Sequence, residues 1–324
     1  MNLLSTMVST QFSEMQDKKL SILFCPRCEG DIEITVKNII RCRSCRSVLG
    51  KRIGNILSFA ETLSDDLTLS SQKWDDFYEE QKDEKKYKAE LSYYKKNYLK
   101  DVLGVFPFDL KKQKTNTYLE IGCGNFFLGQ EVASSFGLII GIDLSMSALL
   151  VAQQLLLENK IKNFILIQGN ILHLPLKDNT IDAIYGGGVI EHFKNTKMAV
   201  DEMYRVLKVG GYAINTVPYL NLASLSYRQL WGNIPNMPIL RQLAEFIHIK
   251  LLRGRHMIFG YEMSFLGTTL TRIHKKSGFK EVGVDRFKIS LQFAFLPKPI
   301  RPIFNWLAVN SRLFWPMIKV TAIK

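Results

Sequence analysis

The sequence predicts an α/β fold in which an open, mainly parallel sheet carries helices on both faces. Three observations carry that expectation. Thr117 to Asp143 (TYLEIGCGNFFLGQEVASSFGLIIGID) reads as a short apolar strand ending in Glu120, a glycine turn at Gly122 and Gly124, a helix, and a second apolar strand ending in Asp143. Further apolar runs at 164–168, 181–185 and 212–217 alternate with helical stretches at 146–158 and 198–207, which is the rhythm of successive βαβ units. Breakers punctuate these runs: Val209-Gly210-Gly211 closes a helix and Pro218 stops the fifth strand.

The first unit also indicates a ligand. A glycine turn after a strand lets a ligand approach the backbone closely, and a carboxylate ending the next strand sits where it can bind ribose hydroxyls. A dinucleotide site wants G-x-G-x-x-G. Here the turn reads Gly122-Cys123-Gly124-Asn125-Phe126-Phe127, so the third glycine is missing. Glu120 would crowd a pyrophosphate but can hydrogen-bond a cationic amino group. This favours S-adenosylmethionine over NAD.

With these residues in place the chain resembles the class I S-adenosylmethionine-dependent methyltransferases, specifically the methyltransferase type 11 group. Gln168 to Phe193 (QGNILHLPLKDNTIDAIYGGGVIEHF) is similar to that group's third and fourth motifs, and Glu202 to Tyr212 (EMYRVLKVGGY) to the lead into its fifth strand. The expected architecture is a Rossmann-like class I methyltransferase sheet with a small N-terminal zinc ribbon and a helical insertion after strand five. The expected domains are 1–60 (ribbon with a poorly ordered start), 61–116 (helical connector) and 117–324 (methyltransferase domain, with 218–263 as an inserted lid).

The resemblance implies roles for individual residues. Glu120 and the backbone at Gly122, Gly124 and Gly186 would hold the methionine part of the cofactor, and Asp143, followed by Leu144, the ribose. Asn170 with Ile171 would take the adenine; the family usually carries aspartate at the first position, and asparagine keeps the acceptor but loses the charge. The sulfonium makes its methyl group electrophilic, so the protein need only align donor and acceptor, exclude water and remove any acceptor proton. His192 is the candidate base, since a free imidazole titrates near neutrality.

In chain order, residues 1–20 are polar and mixed. Cys25-Pro26-Arg27-Cys28 and Cys42-Arg43-Ser44-Cys45 then flank the strand-like DIEITVKNII. Two C-x-x-C pairs closing a hairpin can place four thiolates around structural zinc, and so small a unit lacks the core to hold itself without metal. The stretch looks like a Trm112-type zinc ribbon. Arginines 27, 41, 43 and 46 cluster around the cysteines, which fits either nucleic-acid binding or a structural appendage. Cys123, in the glycine turn, reads as a small packing residue. Trp74 to Leu99 has no proline or glycine and alternates its charges, so it predicts a helix; in related methyltransferases a helix here often covers the cofactor.

Residues 218–261 interrupt the repeat and include an amphipathic stretch with Leu240, Leu243, Ile247 and Leu251 on one side and Arg241, Glu245 and His248 on the other. A helix over 264–277, a strand over 279–287 and a last, antiparallel strand at 317–323 complete the core. Gln292 to Pro316 interleaves Phe and Trp with Lys298, Arg301 and Arg312, a composition compatible with a membrane interface, base stacking or ordinary packing.

The net charge of +13 is uneven: residues 218–324 hold 16 of the Lys and Arg but 4 of the Asp and Glu. That excess fits an anionic partner or merely a soluble basic face. Apolar stretches fall short of the ~20 residues that span a bilayer and the start lacks a signal-like block, so a cytoplasmic protein with no transmembrane segment is expected. Two acceptor classes stay open: a small or lipid-linked metabolite such as a quinone, polyketide or glycan intermediate, with peripheral membrane contact, or RNA. No N-P-P-Y or D-P-P-Y tetrapeptide follows strand four, which lowers the nucleic-acid reading. A non-enzymatic zinc-ribbon partner with an idle core is disfavoured, because Glu120, Asp143 and the glycines all remain.

Overall fold

The computed structural model describes residues 20–62, 74–79, 83–257, 260–287 and 296–324. Residues 1–19, including the start expected to be poorly ordered, and Phe293 and Phe295 of the aromatic stretch lie outside the described residues.

The described strands form one sheet of eleven and a separate pair. Its centre is the set anticipated from the repeats: β5 (Thr117–Ile121), β6 (Leu138–Asp143), β7 (Phe164–Gln168), β8 (Ile181–Gly187) and β9 (Leu207–Pro218). These run parallel in the order β7-β6-β5-β8-β9. Strand β13 (Met317–Ile323) inserts antiparallel between β9 and β12 (Glu281–Phe287). The central strands read as apolar runs because both faces are covered: every residue of β7 is buried, as are four of five in β5. The chain winds outward from β5 to β7 and then returns to β8 on the other side of β5. Open α/β sheets bind ligands in the crevice that this reversal leaves at the strands' carboxyl ends.

Four short strands, β1 (Ile32–Ile34), β2 (Ile39–Cys42), β3 (Val48–Ile53) and β4 (Ile56–Ser58), make an antiparallel meander around the cysteines. The meander is not a free-standing appendage. Strand β4 pairs in parallel with β7 (Ile56 with Leu166, Ser58 with Gln168), so the N-terminal strands extend the central sheet.

The connector contributes a helical segment at residues 74–79 and helix α1 (Glu84–Asn97). The single helix expected over Trp74 to Leu99 is therefore interrupted. Asp83 adopts an extended conformation, and its carboxylate accepts the amides of Lys85 and Lys86 at 3.0 and 3.1 Å, a side-chain cap that starts a new helix. Helices α2 (Phe127–Val132), α3 (Met146–Glu158), α4 (Thr196–Val206) and α6 (Gly267–Lys276) lie against the sheet, with α5 (Pro238–Glu245) in the insertion and α7 (Arg301–Asn310) before β13. Helix α2 is short because the chain closes in turns after Val132.

The insertion is pinned at its base, where Ile234–Pro235 pairs in parallel with Met263–Ser264. Helix α5 continues into a π-helical turn, Phe246–Leu251. No helix among the described residues is long and apolar enough to cross a membrane.

A cofactor-sized cavity at the sheet's switch point

Glu120, the penultimate residue of β5, is buried, and its Oε2 accepts the Tyr118 hydroxyl at 2.9 Å. Burial pushes its carboxyl up to about 8, against the pull of the Tyr118 hydroxyl and the Gly129 amide. A buried carboxyl facing a cavity with so little compensation suits a cationic ligand group. The turn that follows needs glycine twice: Gly122 and Gly124 have φ of 55° and 50°. A Cβ on Gly122 would lie 2.5 Å from the Val189 side chain, and one on Gly124 2.6 Å from the Tyr78 hydroxyl. Cys123 between them is buried against Gly141, a packing position.

Asp143 ends β6 and closes the turn from the other side. Its two oxygens accept the amides of Gly124 (2.7 Å) and Ser145 (2.9 Å). The carboxylate thus shapes the glycine turn as well as facing the ligand space.

Two adjoining cavities meet here. One, of about 460 Å³, is lined by Glu120, Gly122, Gly124, Tyr94, Tyr185 and Gly187 among others. The second, of about 150 Å³, is lined by Asp143, Leu144, Ile171, Gly188, His192 and Trp74 among others. Gly122 and Tyr78 border both. The pair therefore forms an elongated space with the Glu120 carboxyl at one end and Asp143, Leu144 and Ile171 at the other.

Two sequence-expected residues sit differently. Gly186 faces inward, where a Cβ would meet Asn215 Oδ1 at 2.6 Å, and its neighbours Gly187 and Gly188 line the space instead. Asn170 is not among the residues lining either cavity; its side-chain oxygen accepts the Leu172 amide at 2.8 Å and fixes the turn that presents Ile171.

His192 stands at the rim of the second cavity with its ring 5.7 Å from Trp74, edge to face. Its Nδ1 is 2.8 Å from the Tyr261 carbonyl. A carbonyl only accepts, so Nδ1 carries a proton, and in the neutral tautomer compatible with this contact the lone pair lies on Nε2. The same tyrosine ties down the insertion, since its hydroxyl donates to Glu245 (2.6 Å), which pairs with Arg241 (3.0 Å). Beside it, Glu191 is buried, which raises its carboxyl well above the usual range.

Several residues here carry weak sequence signals. Segment 74–79 lies across the glycine turn through Trp74 and Tyr78 and is held by acids: Asp75 accepts the Ser145 hydroxyl (2.6 Å) and Ser147 amide (2.9 Å), and Glu79 the Ser147 hydroxyl (2.9 Å). Asp75 thus caps the start of α3, favoured by the helix dipole. Arg205, from the EMYRVLKVGGY block, knits the loop after Ile171. It bonds the carbonyls of Leu174 (3.0 Å) and Leu176 (2.7 Å), Asp178 (2.7 Å) and Glu202 (2.7 Å). A charged residue inside a strand-lead motif was the available signal for it.

The segment that leads into β1 reaches the same loop. Leu23 bridges Leu176, the Phe24 amide donates to Pro175 O (3.2 Å), and Lys177 Nζ pairs with Asp31 (2.9 Å). His173 also contacts the Pro26 carbonyl. Cys25, Cys28, Cys42 and Cys45 turn their sulfurs toward one point, all within 4.8 Å of one another. The two nearest pairs, Cys28 to Cys42 at 3.4 Å and Cys25 to Cys45 at 3.9 Å, are too far apart for disulfides. They match the ~3.8 Å edge of a tetrahedron with Zn–S bonds of ~2.3 Å.

Residues 119–215 match the family model described as a methyltransferase domain. The demethylmenaquinone methyltransferase of Lactiplantibacillus plantarum is 29% identical over 186 residues, 52% of this chain and 72% of that one. That of a Geobacillus species is 33% identical over 106 residues, 32% of this chain and 45% of that one. Coverage of these relatives' own length is therefore partial. Phosphoethanolamine N-methyltransferase 2 of Haemonchus contortus, solved with S-adenosyl-L-methionine, overlays with a TM-score of 0.49 at 18% identity, over 70% of this chain and 52% of that one. The matched segment runs from Glu120's strand to the middle of β9 and contains both glycine clusters, Asp143 and His192: the chain carries a methyltransferase domain and is an S-adenosylmethionine-dependent methyltransferase.

Proposed function

We propose that the enzyme methylates a lipid-linked small molecule of the quinol type, with His192 as the base. The observation that carries this reading is the convergence, at one rim, of a cofactor-sized cavity and a histidine whose proton is fixed on the far nitrogen. The acceptor class is supported by the two relatives named as demethylmenaquinone methyltransferases.

Bound S-adenosylmethionine supplies an electrophilic methyl group. Glu120 would take the ammonium of its methionine end, with the bare backbone at Gly122, Gly124, Gly187 and Gly188 allowing close approach. Gly186 then acts as the packing step that brings its two neighbours to the cavity. Asp143 would accept the ribose hydroxyls beside Leu144, and Ile171 would cover one face of the adenine, with Asn170 holding the turn. His192 Nε2 would receive the acceptor's proton when the methyl group passes to the acceptor and its bond to sulfur breaks, the neutral thioether being the leaving group. The resulting imidazolium would be stabilised by the Tyr261 carbonyl on Nδ1. Trp74 and Tyr78 exclude water from that end.

The four cysteines would hold a structural zinc ion, which fits their sulfur spacing. Its contribution is mechanical: the segment before β1 grips the 172–178 loop and β4 extends the sheet at β7, so the ion would stiffen the adenine side of the site.

The test is transfer of labelled methyl groups into cell extract, with and without nuclease treatment. Label extracted into organic solvent and insensitive to nuclease is the expected result. Label recovered in RNA and lost to nuclease would overturn the acceptor class while leaving the cofactor site standing.

A further inference from the structure

The insertion turns its apolar side outward. Along α5 and the π-helical turn after it, Ala244 and His248 face the protein, while Ile239 (81% exposed), Leu243 (54%) and Phe246 (56%) face solvent. These three positions fall at i, i+4 and i+7, one stripe of a helix. The sequence groups Leu240, Leu243, Ile247 and Leu251 on one side of this lid helix; in the structure the outward stripe is Ile239, Leu243 and Phe246, with Leu243 common to both. The core needs none of it, because α5 is already anchored by Arg241, whose Nη2 donates to the Lys194 carbonyl and whose Nε pairs with Glu245.

The exposed apolar surface continues beyond this helix. Gln229 bonds His248 at 2.8 Å, which brings Leu230 (68% exposed) beside the turn. Residues 222–225 lie next to 312–315 through Asn221, whose side chain donates to the Arg312 and Trp315 carbonyls. Leu313 is 57% exposed there, and Trp306, on the helix just before it, 63%. Isolated exposed leucines need no explanation, but exposed apolar residues on segments tied to one another in this way do.

Charge selects the occupant. Lys250, Arg253, Arg255, Lys298 and Arg312 are exposed along the same segments. The insertion's own acids are withdrawn from this surface: Glu245 pairs with Arg241, and Glu262 faces Arg228. Two such basic faces repel each other, which disfavours a second copy of the chain. Nucleic acid would satisfy the arginines but leave the aliphatic stripe in water. An anionic lipid surface satisfies both: acyl chains take Ile239, Leu243 and Phe246, and headgroups take the cations.

We infer that this face docks the enzyme on an anionic phospholipid bilayer, with α5 lying in the interface plane. The inner side of the same helix closes over His192 through Tyr261, so docking would bring the acceptor end of the cavity to the depth at which a lipid-borne headgroup sits. The proposal deepens the lipid-linked acceptor reading and rests on it for its purpose, but the binding itself is measured separately.

The test is flotation of the full chain with vesicles of phosphatidylcholine alone and of phosphatidylcholine and phosphatidylglycerol in equal parts. Wild type should float with the anionic vesicles, detach in high salt and leave the neutral ones at least about tenfold less occupied. The triple variant Ile239→Ser, Leu243→Ser, Phe246→Ser should lose at least about tenfold of the anionic binding. It should keep wild-type cofactor affinity by calorimetry and wild-type turnover of a short, water-soluble acceptor analogue, since none of the three touches the cavity. Absence of flotation with anionic vesicles, or equal flotation of the triple variant, would overturn the docking face. A stable dimer that the variant dissolves would do the same in favour of self-association. Loss of flotation with methyl transfer to the soluble analogue intact would leave the acceptor reading standing.

Discussion

Glu120 makes a prediction of definite sign. Its folded carboxyl is held up at about 8 by burial, well above the value of 4.5 expected in the unfolded chain. The folded apo state therefore binds a proton that the unfolded state releases between these values, so stability from this group is full below about 4.5 and is lost as pH rises through about 8. The apo melting temperature should fall over that window, and Glu120→Gln should flatten the fall. An unchanged slope in the variant would mean the carboxyl is already paired. Asp143→Ala removes the ribose acceptor and also frees the Gly124 and Ser145 amides, so cofactor affinity measured by calorimetry should drop at least about tenfold. Equal affinity would remove Asp143 from the ribose. His192→Gln keeps the ring's hydrogen-bonding size but loses its basicity. It should lower kcat by about 10² to 10⁴ while leaving cofactor affinity unchanged, and a loss confined to KM would make the histidine a positioning residue.

Elements matter here through what they hold in place. The 172–178 loop carries no helix or strand, yet it is tied on one side by Arg205 and on the other by the segment before β1. Chelation of a metal from the four cysteines should therefore weaken cofactor binding as well as loosen the ribbon, and hydrogen exchange should show β4 and the 172–178 loop opening together. Exchange confined to residues 25–58 would make the ribbon an independent unit. Arg205→Ala should destabilise the fold by about 1–3 kcal/mol, because it takes a partner from the mostly buried Glu202 and from the Leu174 and Leu176 carbonyls. The strands, the glycine turn and the four thiolates were legible because each is a local pattern: period, turn chemistry or spacing. Asp75 capping α3 was not, because it depends on a contact between residues about seventy positions apart; the triplet Gly186-Gly187-Gly188 was visible, but which of its members lines the cavity depends on which way the strand's last residues face. The apolar stripe of the insertion was visible in part, through Leu243, but periodicity carries no information about which side faces water.

At the scale of the molecule, the sheet ties three functions together. Its centre provides the crevice at the β5/β8 reversal, β4 joins the cysteine-bearing strands to β7, and the insertion after β9 reaches His192 through the Tyr261 carbonyl. The central claim is that the elongated space holds S-adenosylmethionine with its amino end at Glu120 and its ribose at Asp143. The most direct measurement is a crystal structure with S-adenosylhomocysteine. Ribose hydroxyls on the Asp143 carboxylate, the amino group on Glu120 and the sulfur directed toward the His192 rim are the predicted result. A space filled by the Tyr78 ring, with the nucleoside bound elsewhere or in reverse, would contradict it.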